Sequence, residues 1–214
     1  PENIGKYSGK IKNIVDNIYN SDGIVLIYSQ FIDGGVIPMA LALESIGFTR
    51  FGNKASNLFK TSQHPVIDSK TYLPKDKMDN PGEFRPATYT LLTGEKALSP
   101  DKVYDLKNLT DEDNKNGEKI KVIIISMTGS EGLDFKNLRQ VHIMEPWYKL
   151  SLVEQIIGRA VRNCSHKQLP FKERNVEIFL YGTLLNNEDD EAVDLYIYRI
   201  AEMKAVQIGR VSRI

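Results

Sequence analysis

Two arginines and a glutamine recur at helical spacing in one short segment. Gln155, Arg159 and Arg162 lie in the sequence QIIGRAVR, where an α-helix of about 3.6 residues per turn would place all three on one face. Gly158 lies beside them and, without a side chain, leaves room for a ligand or another backbone. Because a guanidinium presents a rigid fork of N–H donors that fits phosphate oxygens, the pattern predicts a phosphate-binding face.

The elements that must position this face can be predicted from the hydrophobic pattern around it. Residues 122–125 are a short β-branched run, typical of a buried parallel strand, and a glycine-containing loop follows directly. Residues 139–144 predict a second strand, which Pro146 ends. Ser151 and Glu154 have the spacing of a capping box, so the helix is expected to begin there.

An arginine pair on a helix also has a plainer interpretation. Most such arginines are solvated or salt-bridged and bind no ligand. The order of the features favours phosphate binding, because a glycine loop at a strand's end, a further strand and a capped helix with glutamine, glycine and two arginines occur together.

Strands and helices alternate along the rest of the chain. Further strands are predicted at residues 24–28, 48–51, 87–92 and 176–181, and helices at residues 6–20, 36–46, 101–109 and 188–208. This alternation predicts an α/β fold with a parallel sheet covered by helices on both faces. Residues 52–86 have no period and predict a polar surface insertion. Gly34 and Gly35, which precede a helix, fit either a phosphate-binding helix start or only a tight turn.

The composition excludes several classes of protein. With 28 basic and 28 acidic residues the net charge is 0, so phosphate contacts must come from local clusters and backbone amides rather than from a basic surface. The single Cys164 excludes an intramolecular disulfide and suits a reducing compartment. The lack of a signal peptide and of a long apolar segment predicts a soluble, intracellular protein without a membrane partner. His64 and His142 lack the neighbours of a zinc site, so no metal ligands are predicted.

Three motifs resemble those of one known family. Residues 23–31 (GIVLIYSQF) look like motif IV, residues 126–134 (SMTGSEGLD) like motif V, and residues 155–162 (QIIGRAVR) like motif VI of superfamily 2 helicases and translocases. The chain resembles the C-terminal, second RecA-like lobe of those enzymes. Residues 139–166 and 169–181 resemble in particular the helicase-like proteins of large nucleocytoplasmic DNA viruses of the poxvirus, asfarvirus and mimivirus types.

The resemblance implies a RecA-like sheet, as in P-loop NTPases, but without its own P-loop. No G-x-x-x-x-G-K-[ST] sequence occurs in the chain. ATP and Mg²⁺ would then be bound mainly by an N-terminal RecA-like lobe of the same polypeptide, with the nucleotide between the lobes. The resemblance makes Arg162 the arginine finger on the γ-phosphate, Arg159 its assistant at the same phosphates, and Gln155 the residue that positions the finger or the attacking water.

The resemblance also implies binding residues around this catalytic group. Gly132 and Asp134 of motif V would approach the nucleotide, with the carboxylate accepting a hydrogen bond from a ribose hydroxyl, and Gly158 would leave space for it. Contacts to the backbone of the nucleic acid, DNA or RNA, would come from Ser29, Gln30, Ser126, Thr128 and Gly129. The insertion permits an accessory contact to nucleic acid or to a partner.

These features predict the C-terminal lobe of an NTP-dependent helicase or translocase, inactive without its first lobe. Residues 1–186 would form the lobe and residues 187–214 a helix leading into a further region, because the chain starts at Pro1 and ends within a helical pattern. A non-catalytic RecA-like module that scaffolds viral transcription machinery is the alternative. A self-contained nucleotide-binding enzyme would require saturable NTP binding by this chain, which the missing P-loop disfavours.

Overall fold

The computed structural model describes residues 3–62, 64–129, 133–185 and 190–212. In these residues the strands are β1 (Ile24–Tyr28), β2 (Thr49–Arg50), β3 (Thr88–Leu92), β4 (Val122–Ile125), β5 (Leu138–Ile143) and β6 (Glu177–Leu180). The α-helices are α1 (Ile4–Tyr7), α2 (Gly9–Tyr19), α3 (Ile37–Ser45), α4 (Lys102–Leu109), α5 (Leu150–Ala160) and α6 (Val193–Val211), and Ile32–Val36 forms a π-helical turn before α3. None of the helices in these ranges is both long and apolar enough to cross a lipid bilayer.

The described strands form one sheet of six in the order β2-β3-β4-β1-β5-β6, with every pairing parallel. This confirms the predicted α/β fold. All residues of β1 and β4 are buried, which explains why both sequences are continuous apolar runs rather than alternating ones. Tyr28 pairs in register with Ile125 and with Ile143, so the carboxyl ends of β4, β1 and β5 lie level with one another.

The sheet separates two hydrophobic cores. Alternate residues of β1 point to opposite sides, one core being shared with α2 and α3 and the other with α5. The first core contains Val25 and Ile27, and the second contains Ile24, Leu26 and Tyr28. In α5 the buried residues are Val153, Ile156 and Ala160, and this packing turns Gln155 and Gly158 outward.

The strands are predicted more accurately than the helix boundaries. The strands at residues 24–28 and 122–125 have the predicted bounds. The capping box at Ser151 is wrong, because α5 begins one residue earlier with Lys149 as N-cap, and no side chain caps it. Leu150 and Leu152 are packed against the second core, so apolar contact rather than capping fixes the first turn.

Residues 52–86 form the predicted insertion, and specific polar contacts hold it against the domain. The Tyr72 hydroxyl donates to the Ile18 carbonyl oxygen at 2.8 Å. Asp68 is buried, and its carboxylate accepts a hydrogen bond from the Arg85 N–H at 2.9 Å. The insertion is therefore ordered by individual hydrogen bonds, which leave no periodic signal in the sequence.

The two ends of the sheet differ. β2 has two residues, whereas β6, the last strand in the sheet order, has four. Ile178 and Leu180 of β6 pair with Val141 and Ile143, which are buried in the core shared with α5. Ile178 and Leu180 themselves are exposed, so this border of the sheet presents apolar side chains to solvent.

Candidate nucleotide and nucleic-acid interface

The carboxyl ends of the central strands bring three polar residues to one edge of the sheet. Ser126 directly follows β4, Ser29 directly follows β1, and Glu145 lies two residues after β5. Open parallel sheets bind ligands in the crevice outside these strand ends. The edge therefore holds the residues expected to contact nucleic acid.

Ser29 is buried at the centre of a hydrogen-bond network behind motif IV. Its Oγ donates to Glu145 Oε1 at 2.9 Å and accepts from the Phe31 N–H at 3.2 Å, while the Gln30 N–H donates to Glu145 Oε2 at 3.3 Å. Burial raises the pKa of Glu145 above its ordinary value despite the hydrogen bonds from Ser29 and Gln30. A Cβ on Gly35 would collide with Ser29 Oγ, so close packing is what requires this glycine.

The first half of motif V is held just as tightly. Ser126 is buried, and its Oγ accepts from the Gly129 N–H at 3.2 Å and lies 3.3 Å from Thr128 Oγ1. Gly129 is pressed against β3, where a Cβ would overlap the Leu92 carbonyl. Lys102 Nζ donates to the Gly129 carbonyl oxygen at 3.0 Å. Thr128 is exposed whereas Ser126 is buried, so of these two hydroxyl groups solvent reaches that of Thr128.

Arg162 lies beyond the helix on which its spacing placed it. α5 ends at Ala160, and Val161 leaves helical conformation with φ −108° and ψ 69°, so the predicted shared face with Gln155 is wrong for Arg162. After Ala160 the chain turns back toward β5. Ser165 Oγ donates to the Ala160 carbonyl oxygen at 3.3 Å, and the Asn137 N–H just before β5 donates to the Ser165 carbonyl oxygen at 3.0 Å. On this turn, Arg162 Nη1 lies 2.5 Å from Asp134 Oδ1.

The Arg162–Asp134 ion pair is open to solvent. The two side chains are 53% and 62% exposed, respectively. Exposed pairs of this kind contribute only about 0–1 kcal/mol because water and salt screen them. The guanidinium therefore lies near motif V but is bound to it only weakly.

The remaining motif VI residues lie on the outer face of α5. Arg159 Nη1 donates to the Leu133 carbonyl oxygen at 3.3 Å, which makes a second contact between motifs VI and V. Gln155 is exposed about one turn earlier. A Cβ on Gly158 would meet no atom within 4 Å, so the space beside this glycine is open, as predicted.

The two groups of candidate residues are separated along the sheet. α5 follows β5 and packs back along the sheet, so its last turn lies toward the amino end of that strand, where the Asn137 N–H donates to the Ser165 carbonyl at 3.0 Å. Ser29 and Thr128 lie at the opposite, carboxyl edge. Motif V begins at that edge and reaches the arginines at Leu133 and Asp134, so one segment connects the two groups. Residues 130–132 of this segment, which include Gly132, lie outside the described residues.

The donor set of this surface suits phosphate better than metal. Within the described ranges no cluster of three or more His, Cys, Asp or Glu side chains is placed to hold a metal ion. The guanidinium groups of Arg159 and Arg162 supply N–H donors of the kind that bind phosphate oxygens. These two guanidiniums can therefore bind the phosphates of a nucleotide.

Comparison with known proteins decides which family carries this arrangement. Residues 105–164 match the family model described as "Helicase conserved C-terminal domain". A termination factor NPH-I homolog of African swine fever virus (isolate Tick/Malawi/Lil 20-1/1983) is 34% identical over 190 residues, which are 85% of this chain and 26% of the relative. The chain belongs to the helicase C-terminal domain family.

Two further viral proteins are similar to this chain in sequence, and one solved structure shares its fold. A putative ATP-dependent RNA helicase, R350 of Acanthamoeba polyphaga mimivirus, is 32% identical over 206 residues, covering 92% of this chain and 21% of the relative. Putative helicase 087L of Invertebrate iridescent virus 3 is 27% identical over 220 residues, covering 99% and 20%. The C-terminal part of the Fun30 ATPase domain shares the fold, with a TM-score of 0.53 and 17% identity over 94% of this chain and 50% of that one. The lobe spans about a quarter of the length of the curated relatives it matches.

These matches confirm the predicted family and its RecA-like fold. The family model covers motifs V and VI, whereas motif IV at residues 23–31 lies outside it. Sequence reasoning missed two residues of the lobe that hold the motifs in place, Glu145 behind motif IV and Lys102 against motif V. Glu145 could have been found as a carboxylate at the end of a predicted strand, but Lys102 contacts motif V only through the fold.

Proposed function

We propose that this lobe completes an NTP-hydrolysing site together with a first RecA-like lobe, and that hydrolysis moves the polypeptide along nucleic acid. One observation carries the proposal: both motif VI arginines contact the end of the motif V segment whose beginning lies among the candidate nucleic-acid contacts. A change at the nucleotide phosphates would thereby reach the nucleic-acid edge through a single stretch of chain. The names of two relatives, a termination factor and an ATP-dependent RNA helicase, agree with this class of function.

In this proposal Arg162 is the arginine finger. Phosphoryl transfer passes through a loose transition state whose charge lies on the oxygens of the γ-phosphate, and a guanidinium neutralises that charge. Leaving Asp134 costs Arg162 little, because the pair is exposed and contributes only about 0–1 kcal/mol. The released Asp134 carboxylate then accepts a hydrogen bond from the ribose hydroxyl.

The other motif VI residues act beside the finger. Arg159, which donates to the Leu133 carbonyl oxygen, would also donate to the same phosphates. The exposed Gln155 would position the finger or the attacking water, and the open space beside Gly158 would admit the nucleotide. Mg²⁺, which neutralises phosphate charge when bound, would be held by the first lobe.

The nucleic-acid grip in this proposal divides into contacting and supporting residues. The exposed Thr128 hydroxyl and the partly exposed Gln30 would donate to backbone phosphates, beside Gly129, which packs against Leu92. Ser29 and Ser126 are buried, so a direct contact would require each hydroxyl to exchange its present partner. Contacts of this kind hold the sugar-phosphate backbone without reading sequence.

Arg162→Ala in the full-length protein tests the finger. We expect steady-state NTP hydrolysis to fall about a thousandfold or more, because the transition-state charge loses its partner. The affinity for nucleic acid, measured by fluorescence anisotropy, should remain within about twofold, since Arg162 lies away from the carboxyl edge.

Arg199→Ala is the matched control for that substitution. Arg199 is also exposed and ion-paired, at 2.6 Å from Glu191, but lies on α6. The Arg199→Ala protein should hydrolyse NTP at the wild-type rate. Unchanged turnover in Arg162→Ala would remove the finger assignment, and a wild-type protein that binds nucleic acid but hydrolyses no NTP would favour the non-catalytic scaffold of a transcription complex.

A further inference from the structure

Three neighbouring strands each lead into an exposed large side chain at the carboxyl edge. Met127 after β4 is 43% exposed, Phe31 after β1 is 54% exposed, and Tyr148 after β5 is 45% exposed. The three strands are adjacent in the sheet and their last paired residues lie level. Because paired strands lie about 4.8 Å apart, three of them span roughly 10 Å. The edge thus carries a row of apolar groups beside the predicted phosphate contacts.

The backbone of Phe31 is fixed although its ring is in solvent. Its N–H donates to Ser29 Oγ at 3.2 Å, and its carbonyl oxygen accepts from the Val36 N–H at 2.9 Å. Ser29 is in turn bound to the Glu145 carboxylate at 2.9 Å. Because this backbone is already fixed, only the side-chain torsions of Phe31 remain to be ordered when a ligand binds to its ring.

Three lysines lie near this row and could attract a polyanion. Lys204 Nζ lies 5.9 Å from the centre of the Tyr148 ring, and the exposed Lys149 follows that tyrosine directly. Lys102 approaches the end of β4 through the Gly129 carbonyl. Glu145, at the same edge, is turned inward onto Ser29 and Gln30, whereas the exposed Asp33 lies two residues after Phe31. Aromatic side chains flanked by cations are the combination with which proteins bind single nucleic-acid strands.

We propose that Phe31, Met127 and Tyr148 form a stacking surface for the bases of one nucleic-acid strand, whose phosphates are neutralised by Lys102, Lys149 and Lys204. The proposal rests on the function proposed above and adds to it a class of ligand, a strand with accessible bases. Stacked bases rise about 3.4 Å per nucleotide along the helix axis, so a row of roughly 10 Å accommodates about three of them.

Comparison of a base-bearing with an abasic strand tests this surface. The full-length protein would be titrated with a labelled single-stranded oligonucleotide of about 12 nucleotides, with an abasic oligomer of the same length, and with a blunt duplex. We expect wild type to bind the base-bearing strand about tenfold more tightly than the abasic strand. Phe31→Ala should remove most of that difference and leave the affinity for the abasic strand unchanged.

Two further variants make the result specific. Phe171→Ala removes an aromatic ring that is 85% exposed but precedes β6, at the opposite edge of the sheet, and should keep the full preference for bases. Phe31→Leu keeps an apolar side chain without a ring and should lose part of the preference. The midpoint of thermal unfolding should be the same in all three variants, because both rings are exposed.

Three outcomes would overturn the proposal. They are equal wild-type affinity for base-bearing and abasic strands, an equal loss for both strands in Phe31→Ala, and a lowered unfolding midpoint in Phe31→Ala with the base preference intact, which would make Phe31 a contact between lobes. None of them concerns NTP turnover. A protein that hydrolyses NTP but ignores bases would therefore contradict only this proposal, and one that prefers bases without hydrolysis would contradict only the proposed function.

Discussion

Replacing Gly129 tests whether close packing, rather than the backbone preference of glycine, requires a glycine at this position. The Cβ of Gly129→Ala would overlap the Leu92 carbonyl, which cannot move easily because it also accepts the Ser126 N–H at 3.2 Å. Overpacking of this kind costs about 1–3 kcal/mol, so we expect the free energy of unfolding in urea to fall by that amount. Motif V would be displaced with it.

Gly158→Ala is the matched comparison, because its Cβ would meet open space inside a helix. Alanine stabilises a helix interior by about 0.5–1 kcal/mol relative to glycine, so this variant should unfold at higher urea concentration. Similar losses at both glycines would contradict the idea that contact with Leu92 is what distinguishes Gly129.

The residue types of the candidate site could be predicted from the sequence, but their exact positions could not. The spacing of Gln155, Arg159 and Arg162 is the same whether or not the helix continues to its last member. The helix ends before Arg162 because Ser165 and His166 contact the start of β5, and those contacts join segments far apart in the chain. Local periodicity carries no information about them.

Among the elements, β5 contains a histidine that should make stability depend on pH. His142 is fully buried, its ring stacks on Phe179 at 4.7 Å, and its Nδ1 lies 2.8 Å from the Tyr181 hydroxyl. Burial lowers the pKa of His142 to about 3. Because the same group in the unfolded chain binds a proton near pH 6.5, its contribution to stability is complete above about that pH and is lost as the pH falls toward 3.

Urea unfolding between pH 7 and about pH 4.5 measures this effect. We expect the wild-type free energy of unfolding to decline as the pH falls, and His142→Phe, which keeps a stacking ring, to flatten that decline while starting from a lower value. His64→Gln replaces an exposed histidine and should follow the wild-type curve. Parallel curves for wild type and His142→Phe would exclude His142 as the source of the acid sensitivity.

The elements also show which signals in the sequence are reliable. Residues 24–28 and 122–125 were predictable because both faces of these strands are buried, so no polar residue interrupts the run. The start of α5 was not, because Ser151 and Glu154 fit a capping box while the packing of Leu150 decides where the helix begins. Where capping and core contact disagree, core contact prevails here.

At the scale of the whole molecule, the insertion at residues 52–86 is a subdomain held by a few anchors. We expect Tyr72→Ala to detach it, because the hydroxyl bond to Ile18 and the edge-on ring contact with Tyr19 at 4.9 Å are both lost. Limited proteolysis should then cleave within residues 52–86 while the sheet stays resistant. Tyr72→Phe, which keeps the ring, should be intermediate, and equal resistance in wild type and Tyr72→Ala would show that other contacts suffice.

The ordered conformation of this insertion is the part of the fold that was least predictable from the sequence. Its polar composition predicts only a surface segment, and the segment does lie on the surface. Its conformation depends on Asp68, which gathers the backbone amides of Lys70, Thr71 and Arg85 around one buried carboxylate. Such a hydrogen-bond network depends on individual polar atoms, so hydrophobic periodicity in the sequence cannot predict it.

The β6 border has a practical consequence. Among the described strands β6 is the last in the sheet order, and its Ile178 and Leu180 are exposed to solvent. An exposed apolar edge strand is a site where a second molecule can add its own strand. At high concentration the isolated lobe would therefore self-associate through this edge strand. A lysine in place of Leu180 would oppose this association, because a charged side chain on an edge strand disfavours pairing with a second molecule.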